Sequence, residues 1–138
     1  FYHNPARRER CRMKTRLVVI DDEEYIRIPI QDFFEDCGWE VVPFATAEDA
    51  LEYLEDNSAD CVIVDVRLPG MTGPEFIIKA VERRPGIRCV IYTGSFDFSI
   101  TDELRSAGVD NSCLVRKPAL DFGDIKCAVE GPGRGKVV

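Results

Sequence analysis

The chain has 138 residues, 45% apolar and 31% charged, and a net charge of −7. That length makes one domain with a core of its own, and the acidic balance argues against direct nucleic-acid binding, which needs clustered Lys and Arg to neutralise phosphates. No apolar run approaches a membrane span, no signal-peptide pattern opens the chain, and six scattered cysteines without a C-x-x-C pair indicate neither a zinc site nor a thioredoxin-like motif.

Residues 1–16 are rich in arginine, poor in core formers, and read as an exposed basic arm or linker. The only histidine, His3, falls in this arm, which leaves histidine-dependent hydrolysis without its base. Met13 would make a natural start just ahead of the first strand.

From residue 17 the chain alternates strand and helix. Residues 17–20 form a first short apolar run, ending at Asp21-Asp22. Ile26, Ile30, Phe33, Phe34 and Cys37 then share one face of a helix over about 23–37, with Pro29 expected to kink it and Gly38 to end it. Residues 40–44 read as an edge strand because Pro43 lacks an amide hydrogen. Thr46 to Asp49 is a capping-box pattern for a second helix reaching about residue 57.

A second fully apolar run, 61–64, ends at Asp65, and Pro74 suits the first turn of a third helix that Pro85-Gly86 closes. Residues 89–92 end at Thr93; Ser99 to Asp102 then resembles a capping box for a short fourth helix stopped by Gly108. Residues 113–116 end at Lys117-Pro118, an X-Pro bond of the kind sometimes found cis. A fifth helix covers about 120–130, and residues 131–138 read as a flexible tail. Cys61, Cys89 and Cys113 fall in strands and are expected to pack as small core residues in a reducing cytoplasm.

Apolar runs of this length, bounded by turns, are buried on both faces, so the expected fold is α/β: a flavodoxin-like doubly wound (βα)5 unit with a parallel five-stranded sheet in the order 2-1-3-4-5. Ligands of such sheets bind outside the strands' carboxyl ends, where the order reverses. Asp21, Asp22, Asp65, Thr93 and Lys117 all fall at that rim. Carboxylates with one ammonium suit a hard divalent cation, Mg2+, held by Asp22 and Asp65 with Asp21 close by and the backbone carbonyl of Arg67 as a further ligand. Asp65 is the candidate nucleophile, Lys117 the cation for a phosphoryl oxygen, and Thr93 a hydroxyl donor.

In this order, Ile20-Asp21-Asp22-Glu23, the stretch from Val64 to Gly73, Tyr92-Thr93-Gly94 and Arg116-Lys117-Pro118 resemble the signature blocks of bacterial two-component response-regulator receiver domains, over residues 17–130. The resemblance implies a signalling domain rather than an enzyme, which takes a phosphoryl group onto Asp65 from a sensor histidine kinase or a histidine phosphotransfer protein and then changes its binding to a downstream target or output domain. It implies magnesium at Asp21 and Asp22, readout through Thr93 and Lys117, and an effect of Arg67 and Ser95 on phosphate lifetime. The face around the fourth helix, fifth strand and fifth helix would carry the output or a homodimer contact.

Leu114 departs from the pattern, since many receivers have an aromatic there, and Phe96 and Phe98 are the expected substitutes as a mobile aromatic surface. Two other readings stand beside this one: a receiver-like interaction module not regulated by phosphorylation, and an aspartyl-phosphate phosphatase. The phosphatase needs a second Asp two positions after the nucleophile, where this chain has Arg67. Residues 118–138 leave room for one helix and a tail, so both a stand-alone receiver and a piece of a longer regulator or hybrid kinase fit.

Overall fold

The computed structural model describes residues 14–119 and 121–131. The basic arm up to residue 13 and the tail from residue 132 lie outside the described residues. Five strands, β1 (Arg16–Ile20), β2 (Glu40–Phe44), β3 (Cys61–Val64), β4 (Arg88–Thr93) and β5 (Leu114–Arg116), pair in parallel in the order β2-β1-β3-β4-β5. Five helices connect and follow them: α1 (Glu24–Asp36), α2 (Ala47–Asp56), α3 (Gly73–Arg83), α4 (Asp102–Ser106) and α5 (Phe122–Glu130). This is the flavodoxin-like arrangement, with its reversal point between β1 and β3.

Period-two alternation splits the strands' side chains between two cores. Val18, Ile20, Val62, Val64 and Ile91 face α2, α3 and α4, meeting Leu51, Leu54, Phe76, Ile77 and Leu104. Leu17, Val19, Ile63, Val90 and Tyr92 face the other way, toward Ile30 and Phe34 of α1 and Ile125 and Val129 of α5. Because the strands are covered on both sides, every residue of β3 is buried. In-register pairing of Ile20 with Val64, and of Val64 with Ile91, brings the ends of β1, β3 and β4 level. The residues that follow these strands therefore converge.

Pro43 does lie on an edge strand, where its missing N–H costs no ladder bond. α1 continues through Pro29 as one element, and Gly38 turns the chain out of it at φ +91°. α4 is capped by Thr101, whose hydroxyl accepts from Leu104 N–H, and not by Ser99. β5 starts at Leu114, one residue later than its apolar run, because Asp110 caps a 3-10 turn over Asn111–Cys113. α5 starts at Phe122, where the Asp121 carboxylate accepts from Gly123 N–H. Cys61, Cys89 and Cys113 are buried as expected, and burial pushes the Cys89 thiol up to about 12.

Candidate functional site

The site lies at the carboxyl rim of the sheet. Asp21, Asp22 and Asp65 each present a carboxylate oxygen within 4.8 Å of the others'. Asp21 and Asp65 are buried, whereas Asp22 opens to solvent. Lys117 reaches in from the loop after β5: its Nζ lies 2.8 Å from Asp21 Oδ2 and 2.8 Å from Asp65 Oδ2. Its backbone N–H donates to the Thr93 carbonyl at 2.8 Å, which continues the β4–β5 pairing and sets where the side chain starts. The Lys117–Pro118 peptide is cis.

Backbone groups hold the carboxylates. Val66 N–H donates to Asp65 Oδ1 at 2.7 Å, and Glu23 N–H donates to Asp21 Oδ1 at 3.0 Å. Arg27, one turn into α1, donates from Nη1 to the Asp21 carbonyl. Thr93 is 1% exposed, and its hydroxyl oxygen accepts from Ser95 N–H at 3.1 Å. Its own O–H proton is therefore left to donate elsewhere.

Burial raises the Asp21 carboxyl above its ordinary value, against the Lys117 and Glu23 hydrogen bonds that pull it down. Burial opposes the Lys117 ammonium as well, but hydrogen bonds to Asp21 and Asp65 outweigh it and raise its pKa. The neighbouring carboxylate pushes both in the same direction, as an excess of negative charge favours bound protons.

Three carboxylates against one ammonium leave a deficit of positive charge, and every donor is a hard oxygen. Both features fit a divalent cation of the magnesium or calcium type. Arg67 stands on the exposed loop after Asp65, its side chain 4.0 Å from Asp97. Phe96 is 88% exposed, whereas Phe98 is half-buried against the core.

The family model of the response regulator receiver domain matches residues 17–129. The chain belongs to that family. It is a receiver, a signalling domain of two-component and phosphorelay systems rather than an enzyme in the ordinary sense. Among similar proteins, sporulation initiation phosphotransferase F of Bacillus subtilis is 26% identical over 118 residues, covering 86% of this receiver and 93% of that protein. Nodulation protein W of Bradyrhizobium diazoefficiens is 27% identical over 108 residues, 78% of this receiver. The receiver spans about half, 47%, of that relative's length. A response regulator from Burkholderia pseudomallei, solved with a phosphorylated aspartic acid, a calcium ion and citrate, shares the fold with a TM-score of 0.76 at 22% identity, over 89% of this chain and 70% of its own. No helix among the described residues is long and apolar enough to cross a membrane.

Three contacts carried no plain signal in the sequence: Arg27 on the Asp21 carbonyl, Glu48 of α2 accepting from Met71 N–H at 2.8 Å, and Arg116 on the loop after β4. In all three a long side chain reaches loop backbone, which no periodic pattern reports.

Proposed function

We propose that this receiver accepts a phosphoryl group on Asp65 from a phosphohistidine of a sensor kinase or phosphotransfer protein, in a magnesium-dependent reaction, and thereby switches its binding to a protein partner. The observation that carries this reading is the Lys117 ammonium bridging Asp21 and Asp65 at the rim where three carboxylates meet.

An Asp65 carboxylate oxygen attacks phosphorus in line; the O–P bond forms as the donor's N–P bond breaks, and that electron pair stays on the departing imidazole. Val66 N–H and Lys117 orient the carboxylate before attack. Lys117 then neutralises a phosphoryl oxygen, while the Thr93 hydroxyl donates to another. Asp21, Asp22 and Asp65, with the Arg67 carbonyl, would hold magnesium, which when bound offsets the charge that otherwise repels a phosphoryl group from the carboxylates. The Burkholderia relative, with its phosphorylated aspartate and calcium ion, is consistent with such a site.

Incubation with acetyl phosphate and magnesium should add one phosphoryl group to the wild type by intact mass. Asp65→Ala should add none, and chelation of magnesium should abolish the gain. An Asp65→Ala chain that gains the same mass removes the assignment.

A further inference from the structure

Leu114 is half-buried and packs into the α2–α4 side core, so the side chain at that position offers the β4–α4 loop no polar contact. Two residues on, Arg116 does. It is the register partner of Thr93, and its exposed side chain lies over the chain that leaves β4. One guanidinium nitrogen donates to the Ser95 carbonyl at 2.5 Å and the other to the Phe98 carbonyl at 2.8 Å. The planar guanidinium presents its donors as a fork, and here both tines are taken by one short arch of backbone.

Ser95 is thereby held from two directions. Its N–H donates to the Thr93 hydroxyl at 3.1 Å, while its carbonyl accepts from Arg116 and from Phe98 N–H, the latter also at 3.1 Å. The Thr93 backbone cannot follow its hydroxyl freely, because Lys117 N–H pins the Thr93 carbonyl. At the far end, Phe98 is packed against the core. Between these anchors Phe96 stands out at 88% exposure, and Asp97 makes a solvent-exposed pairing with Arg67 at 4.0 Å.

We propose that Arg116 is the positioning residue that couples Thr93 to this arch: when the hydroxyl turns toward a phosphoryl group on Asp65, Ser95 loses its acceptor and shifts, and the Arg116 fork, anchored on the Phe98 carbonyl, directs that shift into Phe96. This rests on the phosphoacceptor reading given above. It assigns to Arg116 the readout that Leu114 cannot perform. Phe96 is then the reporting surface of the phosphorylated state, and Phe98 its fixed end.

The test uses the whole chain labelled with 15N, with amide signals of residues 95–98 recorded before and after acetyl phosphate and magnesium, and the phosphoryl content of each sample read by mass. Arg116→Ala should take up the phosphoryl group as fully as wild type, yet its phosphorylation-dependent shift at Phe96 should fall by at least half. Arg116→Lys, a point charge without the fork, should not restore it, whereas Arg105→Ala on α4 should leave it intact. A purely structural role would instead displace the signals of the unphosphorylated variant and leave the phosphorylation-dependent change whole, which would overturn the proposal. So would an Arg116→Ala chain that no longer accepts the phosphoryl group. A wild type that gains no mass is a separate result, which removes the phosphoacceptor reading and this inference with it.

Discussion

Gly73, the first residue of α3, is pressed against the backbone of Asp65: a Cβ on Gly73 would stand 2.0 Å from the Asp65 carbonyl oxygen. Gly73 N–H also donates to the Val66 carbonyl at 3.0 Å, so the start of α3 is fastened to the turn that carries the candidate nucleophile. The obstacle is backbone, which cannot rotate aside as a side chain would. Gly73→Ala should therefore cost about 1–3 kcal/mol of stability by overpacking, measured by urea unfolding, and should slow phosphoryl uptake by acetyl phosphate. An unchanged uptake rate in a destabilised chain would separate α3 docking from the placement of Asp65.

Lys117 is the counter-charge of two buried carboxylates, with side-chain exposures of 12% for Lys117, 4% for Asp21 and 12% for Asp65. Lys117→Met should destabilise the chain by up to about 3 kcal/mol at neutral pH, because truncating one partner leaves the others buried and unpaired. Asp21 already has a raised pKa, through burial, and would lose a hydrogen bond that lowers it. A carboxyl with a folded pKa above its unfolded value of 3.8 penalises folding fully above the folded pKa and not at all below 3.8. The deficit of Lys117→Met should thus shrink on acidification toward that value; unfolding curves across this window would show it.

Asp22 is the exposed member of the carboxylate cluster and takes no part in the Lys117 bridge. Asp22→Asn should leave stability without magnesium within about 0.5 kcal/mol of wild type, as for a surface change, while weakening magnesium binding. At a free magnesium concentration about a hundred times the Kd, the wild type should gain about 2.7 kcal/mol, and the variant much less. Melting curves against magnesium concentration measure both quantities.

The fold was largely legible because both of its periodicities are strong: continuous apolar runs for strands covered on two faces, and helical spacing for the faces that cover them. Pro43 identified the edge strand through a missing donor. Misplaced boundaries fell where a short polar side chain competes for backbone, as Thr101 does at α4, Asp110 before β5 and Asp121 before α5. Of the site, Asp21, Asp22, Asp65, Thr93 and Lys117 could be placed together because each ends or follows a strand. Arg27, Glu48 and Arg116 could not, since long side chains reaching loop backbone leave no periodic trace.

Thr72-Gly73-Pro74-Glu75 is a full capping box, its Thr72 hydroxyl accepting from Glu75 N–H while the Glu75 carboxylate accepts from Thr72 N–H. Pro74 suits the first turn, and the reciprocal pair closes it. Thr72→Ala should cost about 1 kcal/mol in urea unfolding, and Thr72→Ser should recover most of it.

Among the described cysteines, Cys37 and Cys127 are exposed and Cys61, Cys89 and Cys113 are buried. Cys89, held as a thiol by burial with its pKa at about 12, should resist iodoacetamide at pH 8 until the chain unfolds. Among these five, peptide mass mapping should find label on Cys37 and Cys127 first.

The central claim is an acyl phosphate on Asp65, and borohydride reduction tests it most directly, because it converts a phosphorylated aspartate to homoserine while leaving free carboxylates alone. After acetyl phosphate and magnesium, peptide mass analysis should find homoserine at position 65 and aspartate retained at positions 21 and 22. Homoserine at another aspartate, with position 65 unchanged, would contradict the account.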